Sequence, residues 1–133
     1  MMLRRVLCLC GAIFLVLAKS ANGGVQINYS EIYGECISKY GATNNMSVMS
    51  CSSSTGKAAS EEMESAFDDL KIKYLDDSPE DVGKLEAAQR SWALYRDMQC
   101  ELAEKYVGSP MHDVCPMRMV IRRLDEIREL LGQ

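Results

Sequence analysis

Between Tyr29 and Leu131 the apolar side chains return every three or four positions, and nowhere do they alternate with polar ones over the length of a strand. That period predicts helices throughout. The first spans Tyr29, Ile32, Tyr33, Cys36, Ile37 and Tyr40, with Asn28 placed to cap it and Glu31 three positions later completing a capping-box pattern. A turn follows at Gly41 to Asn45. A second stretch begins near Met46, weakens through the small and polar residues 52–60, and returns at Met63, Ala66, Phe67, Leu70 and Tyr74; Gly56 is the expected kink or break, giving one bent helix or two in line. Ser78-Pro79 predicts a new start, with Ser78 as cap and Glu80 and Asp81 at the positive helix end. That helix runs to about Tyr106 and stops at Gly108, with Val82, Leu85, Gln89, Trp92, Arg96, Cys100 and Ala103 on one stripe. Residues 108–116 read as a loop. The last helix starts near Pro116, carries Met117, Val120, Ile121, Leu124, Ile127 or Arg128, and Leu131, and ends at Gly132.

The segment before these helices has a different character. Arg4 and Arg5 precede a run from Val6 to Leu17 with no polar side chain, and Ala18, Ser20 and Ala21 supply small residues behind it. About a dozen apolar residues suit a signal peptide and fall short of the roughly 20 that cross a bilayer. Residues 1–20 are therefore expected to be a signal peptide, cut after Ala18 or Ser20. Cys8 and Cys10 lie inside the run, too early for lipid attachment behind it, so no stable membrane anchor is expected. The remaining chain, 21–133, has the length of one domain with one core.

Export changes both the charge and the cysteine count. The whole chain has 15 basic and 19 acidic residues; without Arg4, Arg5 and Lys19, 12 basic residues face the same 19 acidic ones, a net charge near −7, or −6 if Lys19 stays. An acidic body disfavours nucleic acid and favours a basic protein partner. Of six cysteines, Cys36, Cys51, Cys100 and Cys115 remain, and an even number in an exported chain predicts disulfides. Cys36 and Cys51 flank the first turn, and Cys100 and Cys115 flank Gly108-Ser109-Pro110, so the pairings 36–51 and 100–115 are favoured over the two alternatives.

Little in the chain suggests catalysis. His112 is the one histidine, beside Asp113 and three residues after Ser109, without a G-x-S-x-G elbow. A metal site would want a second histidine, and the cysteines are better read as disulfides. The acidic pairs Asp68-Asp69, Asp76-Asp77 and Glu80-Asp81 fall at exposed helix positions and ends. No catalytic residue, metal or cofactor is expected. Met46, Met49, Met63, Met98, Met111, Met117 and Met119 have the chemistry of an adaptable binding surface, but most fall on core stripes and are expected to pack. Arg96 shares a face with Trp92 and is expected to hold carboxylate or carbonyl partners in a scaffold-locking pair that orients the loop behind it; the alternative is direct contact with a binding partner.

Residues 88–100, AQRSWALYRDMQC, resemble the signature helix of the LprI-type lysozyme inhibitors, an AQR-x-W-x-x-[FY]-RD-x-x-C run. The GS turn of that family matches Gly108-Ser109, its second Cys Cys115, and the Arg eight residues beyond it Arg123; upstream, Cys36 and Met49 with Cys51 fit loosely. There are departures: in the D-x-x-L-N-x-x-Y element Leu70 and Tyr74 match while Phe67 and Lys71 replace the Asp and Asn, and Val120 stands where the family has Thr. The resemblance implies an all-α, disulfide-stapled bundle of about four to five helices, with Gln89, Arg90, Trp92, Arg96, Asp97 and Arg123 as its scaffold signature. It implies a periplasmic or secreted, non-enzymatic inhibitor of a lysozyme-like peptidoglycan hydrolase, which in an immunity role would protect its own cell from a secreted cell-wall-degrading effector. C-type lysozymes are basic, in keeping with the acidic mature chain. The alternative is a structural or stress-related envelope protein that inhibits nothing. For an inhibitor, the loop 108–114 is the first surface to consider, with Tyr106, Met111, His112 and Asp113 as partner-binding candidates.

Overall fold

The computed structural model describes residues 26–133; the segment expected as a signal peptide lies outside them. Four helices follow one another, α1 Tyr29–Lys39, α2 Asn45–Asp77, α3 Val82–Val107 and α4 Met111–Leu131, with no strand among the described residues. None of these helices is long and apolar enough to cross a membrane.

Local chemistry sets most of the boundaries. Asn28 caps α1, its side chain accepting from the Glu31 amide at 3.2 Å. The full reciprocal capping box forms one helix later, where Asn44 accepts from the Ser47 amide and the Ser47 hydroxyl accepts from the Asn44 amide, both at 3.0 Å. At the end of α2, Ser78 acts through its backbone and not its side chain. Its N–H donates to the Tyr74 carbonyl at 2.8 Å, and Pro79–Asp81 make a single 3-10 turn before α3 begins at Val82. A residue before proline is pushed out of the helical region, which stops α2 at that point.

Two expectations are corrected. Gly56 does not break α2, which is continuous over 33 residues. A Cβ added at Gly56 would lie 3.2 Å from the Met117 Cβ, so the missing side chain admits α4. Ser52, Thr55 and Ala59 are buried on the same part of α2, and the stretch that reads as polar and weak is a close-packing surface made of small residues. The last helix also starts earlier than Pro116. Pro110 stands at its entrance, accepting from the amides of Asp113 and Val114 at 3.2 Å, and the connection shrinks to Gly108–Pro110. Pro116 lies inside α4, where its ring costs one backbone hydrogen bond. Gly108 and Gly132, at φ 92° and 83°, close α3 and α4 in backbone conformations that favour glycine.

The most extensive contact is α2 against α4. Between them lie Ala59, Met63, Ala66, Leu70, Val120, Leu124 and Ile127, joined by Tyr29 of α1 and Leu85 of α3. Disulfides fix the outer helices to this pair: Cys36–Cys51 holds α1 to α2 and Cys100–Cys115 holds α3 to α4, with Cα separations of 5.7 and 5.4 Å. At the opposite end of α2, Lys73 Nζ donates to the Leu130 and Leu131 carbonyls and so satisfies the C-terminus of α4.

Among the described residues, one charged side chain enters the core. Arg128 is 6% exposed and pairs with Glu62 of α2, with Asp125 at 3.1 Å and with the Ile27 carbonyl at 3.2 Å. The Tyr29 hydroxyl donates to the same Glu62 carboxylate at 2.8 Å, so a single network joins the start of α1 to α2 and α4. Burial, reinforced by the bond to Glu62, pushes the Tyr29 hydroxyl up to about 12.

Replacing Cys100 and Cys115 together by serine is expected to lower stability by about 3 kcal/mol, the entropy of a loop of roughly 15 residues, read as a lower urea midpoint. The Tyr29 shift gives a second test. An unfolded tyrosine ionises near 10 and the folded one near 12, so the stability it confers is complete below pH 10 and is lost as pH rises through 12. Urea unfolding from pH 9 to 12 should show a loss on the order of 2–3 kcal/mol that is missing in Tyr29→Phe.

Candidate partner-binding face

Helix α3 carries two apolar stripes. The inner one follows the expected register, with Leu85 and Cys100 buried and Val82, Gln89, Trp92, Arg96 and Ala103 half-buried. The outer one steps by single helical turns through Leu94, Met98, Leu102 and Tyr106, with Tyr95 beside it. These five side chains are 50–75% exposed and form a contiguous patch on a helix that packs chiefly on α4. Of this set the sequence offers Tyr106 as a contact candidate and Met98 only among the methionines of an adaptable surface. The signal for the others is present as an i, i+4 row, but nothing local distinguishes a stripe that will be covered from one that will not.

Three of the signature residues, Gln89, Trp92 and Arg123, meet at the seam between α3 and α4. Arg123 Nε donates to Gln89 Oε1 at 2.9 Å, and its Nη1 pairs with Glu126 at 2.7 Å. The guanidinium carbons of Arg96 and Arg123 lie 5.2 and 5.9 Å from the centre of the Trp92 ring, within cation–π range. Arg96 finds its carboxylate in the neighbouring Asp97, at 2.7 Å, and does not reach the connection after α3. Its side chain is 26% exposed, so the strongly buried arginine of the protein is Arg128 and not Arg96. Arg128 could have been found as a charged residue on the apolar stripe of α4. Arg90 is exposed and faces Glu86 at 4.0 Å, a loose surface pair.

The four residues expected at the binding loop belong to helices. Tyr106 ends the outer stripe of α3, whereas Met111, His112 and Asp113 form the first turn of α4. They do not share one surface. Met111 lines a groove of about 460 Å³ between α3 and α4, together with Trp92, Tyr95, Arg118, Met119 and Arg122. His112 and Asp113 line a separate depression of about 330 Å³ with Ser52, Lys57 and Arg96. His112 Nδ1 lies 3.3 Å from Glu104 Oε2 and ties the two helices at the surface.

The exposed charge is of both signs. Asp97, Glu101 and Glu104 of α3 are exposed, as are Glu61, Glu64, Asp68 and Asp69 of α2, whereas Arg118 and Arg122 of α4 stand on the groove. Asp68 and Asp81, from the acidic pairs, make surface bridges to Lys71 and Lys84 at 2.8 and 2.6 Å. No group of three or more metal-ligating side chains occurs among the described residues. The arrangement offers an apolar helix ridge, a shallow groove and charge of both signs, a surface suited to docking on a protein.

A family model described as "Lysozyme inhibitor LprI" matches residues 36–127. No curated protein and no solved structure matches the chain significantly. The matched stretch contains both disulfides, the whole of α3 and the groove. It ends just before Arg128 and begins after Tyr29.

The Gln89–Arg123 bond can be measured directly. A double-mutant cycle of Gln89→Leu and Arg123→Met in urea unfolding should give a coupling of about 1.5–3 kcal/mol, the range for a hydrogen bond to a charged group.

Proposed function

The chain belongs to the lysozyme inhibitor LprI family, and from that premise we propose that it is an exported protein that binds a lysozyme-like peptidoglycan hydrolase and blocks its cleft. The observation that carries this reading is the family match over residues 36–127, which takes in the entire α3–α4 face. Two physical features support it. The acidic mature chain, near −7, accelerates encounter with a basic enzyme and repels acidic competitors. The outer stripe of α3 provides apolar area on a helix fixed in place by a disulfide, so little order is lost on docking. Tyr106 ends that stripe and Met111 lies in the neighbouring groove, whereas His112 and Asp113 line the separate depression and are secondary candidates. The role is binding, not catalysis.

The site of action follows from the target. Cleavage of residues 1–20 would release the domain 21–133 into the periplasm or outside the cell, where peptidoglycan hydrolases work. An immunity role against a secreted effector is a finer version of the same reading, favoured if a hydrolase is encoded next to this gene.

The test is a lytic assay in which purified mature protein is titrated against c-type, g-type and bacterial peptidoglycan hydrolases. Inhibition of at least one basic hydrolase is expected, weakening as ionic strength is raised from roughly 0.05 to 0.5 M because long-range attraction is screened. Unimpeded lysis by every enzyme at saturating protein would end the inhibitor reading and leave the envelope-structural alternative.

A further inference from the structure

Six arginines lie in the described chain, and four of them are engaged: Arg90 with Glu86, Arg96 with Asp97, Arg123 with Gln89 and Glu126, and Arg128 with Glu62 and Asp125. Arg118 and Arg122 make no ion pair and no side-chain hydrogen bond among the described residues. Acidic partners are abundant in this chain, so two open guanidiniums are a specific arrangement and not a shortage of carboxylates. The nearest candidate illustrates it. Glu126 is one turn beyond Arg122 on α4, but Arg123 holds it at 2.7 Å. Arg118 and Arg122 are themselves one turn apart and line the same groove, beside Tyr95 and Met119.

We propose that Arg118 and Arg122 are a carboxylate-binding pair that caps the two catalytic carboxylates of the target hydrolase, while the outer face of α3 covers the rim of its cleft. This rests on the inhibitor reading above and names the part of the surface that does the blocking. Glycosidases flank the scissile bond with two carboxyl groups, about 5–5.5 Å apart in retaining enzymes and 6.5–9.5 Å apart in inverting ones. Side chains one helical turn apart start from Cβ atoms roughly 5–6 Å apart, so the two guanidiniums span the same scale. Each stands at the end of a long flexible stem and enters a cleft that the helix backbone cannot. Arginine, more than lysine, meets a carboxylate through two parallel hydrogen bonds. Two neighbouring positive charges also repel each other when unpaired, and that repulsion is relieved when acids reach them.

Charge complementarity then operates at two ranges. The acidic body as a whole matches a basic enzyme and governs encounter. The local arginine pair matches the acidic spot that any such enzyme keeps in its cleft and governs the docked pose. A partner with a uniformly basic surface would meet repulsion at this groove; a basic glycosidase with a carboxylate pair satisfies both.

The experiment pairs variants on both sides, using the full mature chain and a c-type lysozyme that it inhibits. Arg118→Gln/Arg122→Gln should raise the inhibition constant about 30-fold or more, the effect of truncating one side of a buried charge pair, with circular dichroism and the thermal midpoint unchanged. Lys84→Gln, which removes a positive charge at the start of α3, should leave it within about threefold. Direct binding to lysozyme with its catalytic acids changed to amides should weaken as well, and combining both sets of changes should cost little more than either set alone. Inhibition that survives Arg118→Gln/Arg122→Gln, or amide enzymes bound as tightly as the wild type, overturns this inference and leaves the inhibitor reading standing. A wild-type chain that inhibits no hydrolase overturns both. A chain that sediments as a dimer and dissociates in the double variant assigns the arginines to an interface between copies, which also overturns it.

Discussion

The rest of the structure depends on how closely α4 can approach α2. Helices separated by ordinary side chains lie 8–10 Å apart, and small residues at the crossing allow less. Here Gly56 faces Met117 with Ser52, Thr55 and Ala59 buried around it, and further along Leu70, Leu124 and Ile127 close the seam. That pair of helices is the body of the protein. Helix α1 is too short to be stable alone, and α3 buries only Leu85 and Cys100 well. Both are held by a disulfide near a helix turn, so covalent closure makes up for area that packing does not provide.

A charged network guards the other end of this body. Arg128 is withdrawn from water while Glu62 keeps part of its carboxylate in solvent, and desolvation of the arginine offsets much of their attraction. Their value is positional. The Tyr29 hydroxyl and the Ile27 carbonyl reach the same two side chains, so the chain entering α1 has one register in which every polar group is satisfied. An apolar replacement of the pair would fill the space without specifying that entry.

Holding α3 on its inner side leaves its outer side exposed. A helix packed on one side only needs one apolar stripe; α3 has two, and the outer one remains in solvent beside a groove with unpaired arginines. Rigidity and exposure come from the same design. The disulfide and the Gln89–Arg123–Trp92 seam immobilise the helix on its inner side, and the outer side is presented with its shape already set.

What was legible in the amino-acid order was what depends on near neighbours. The helical period, the Asn28 cap, the glycine stops at Gly108 and Gly132 and the pairing of cysteines across two turns all follow from interactions within about one turn or one chain reversal. The run from Ala88 to Cys100 was specific enough to identify the family. Tertiary structure decided the rest. Gly56 reads as a breaker until another helix is placed against it, and Pro116 reads as a helix start until Pro110 is seen at the entrance. Arg96 reads as the buried arginine, and only the position of Glu62 and the depth of α4 assign that role to Arg128. Leu94, Met98, Leu102 and Tyr106 have the spacing of a core stripe, and they are a surface because no helix of this chain comes to cover them among the described residues. Burial is a property of where neighbours lie, and the sequence of one helix does not contain it.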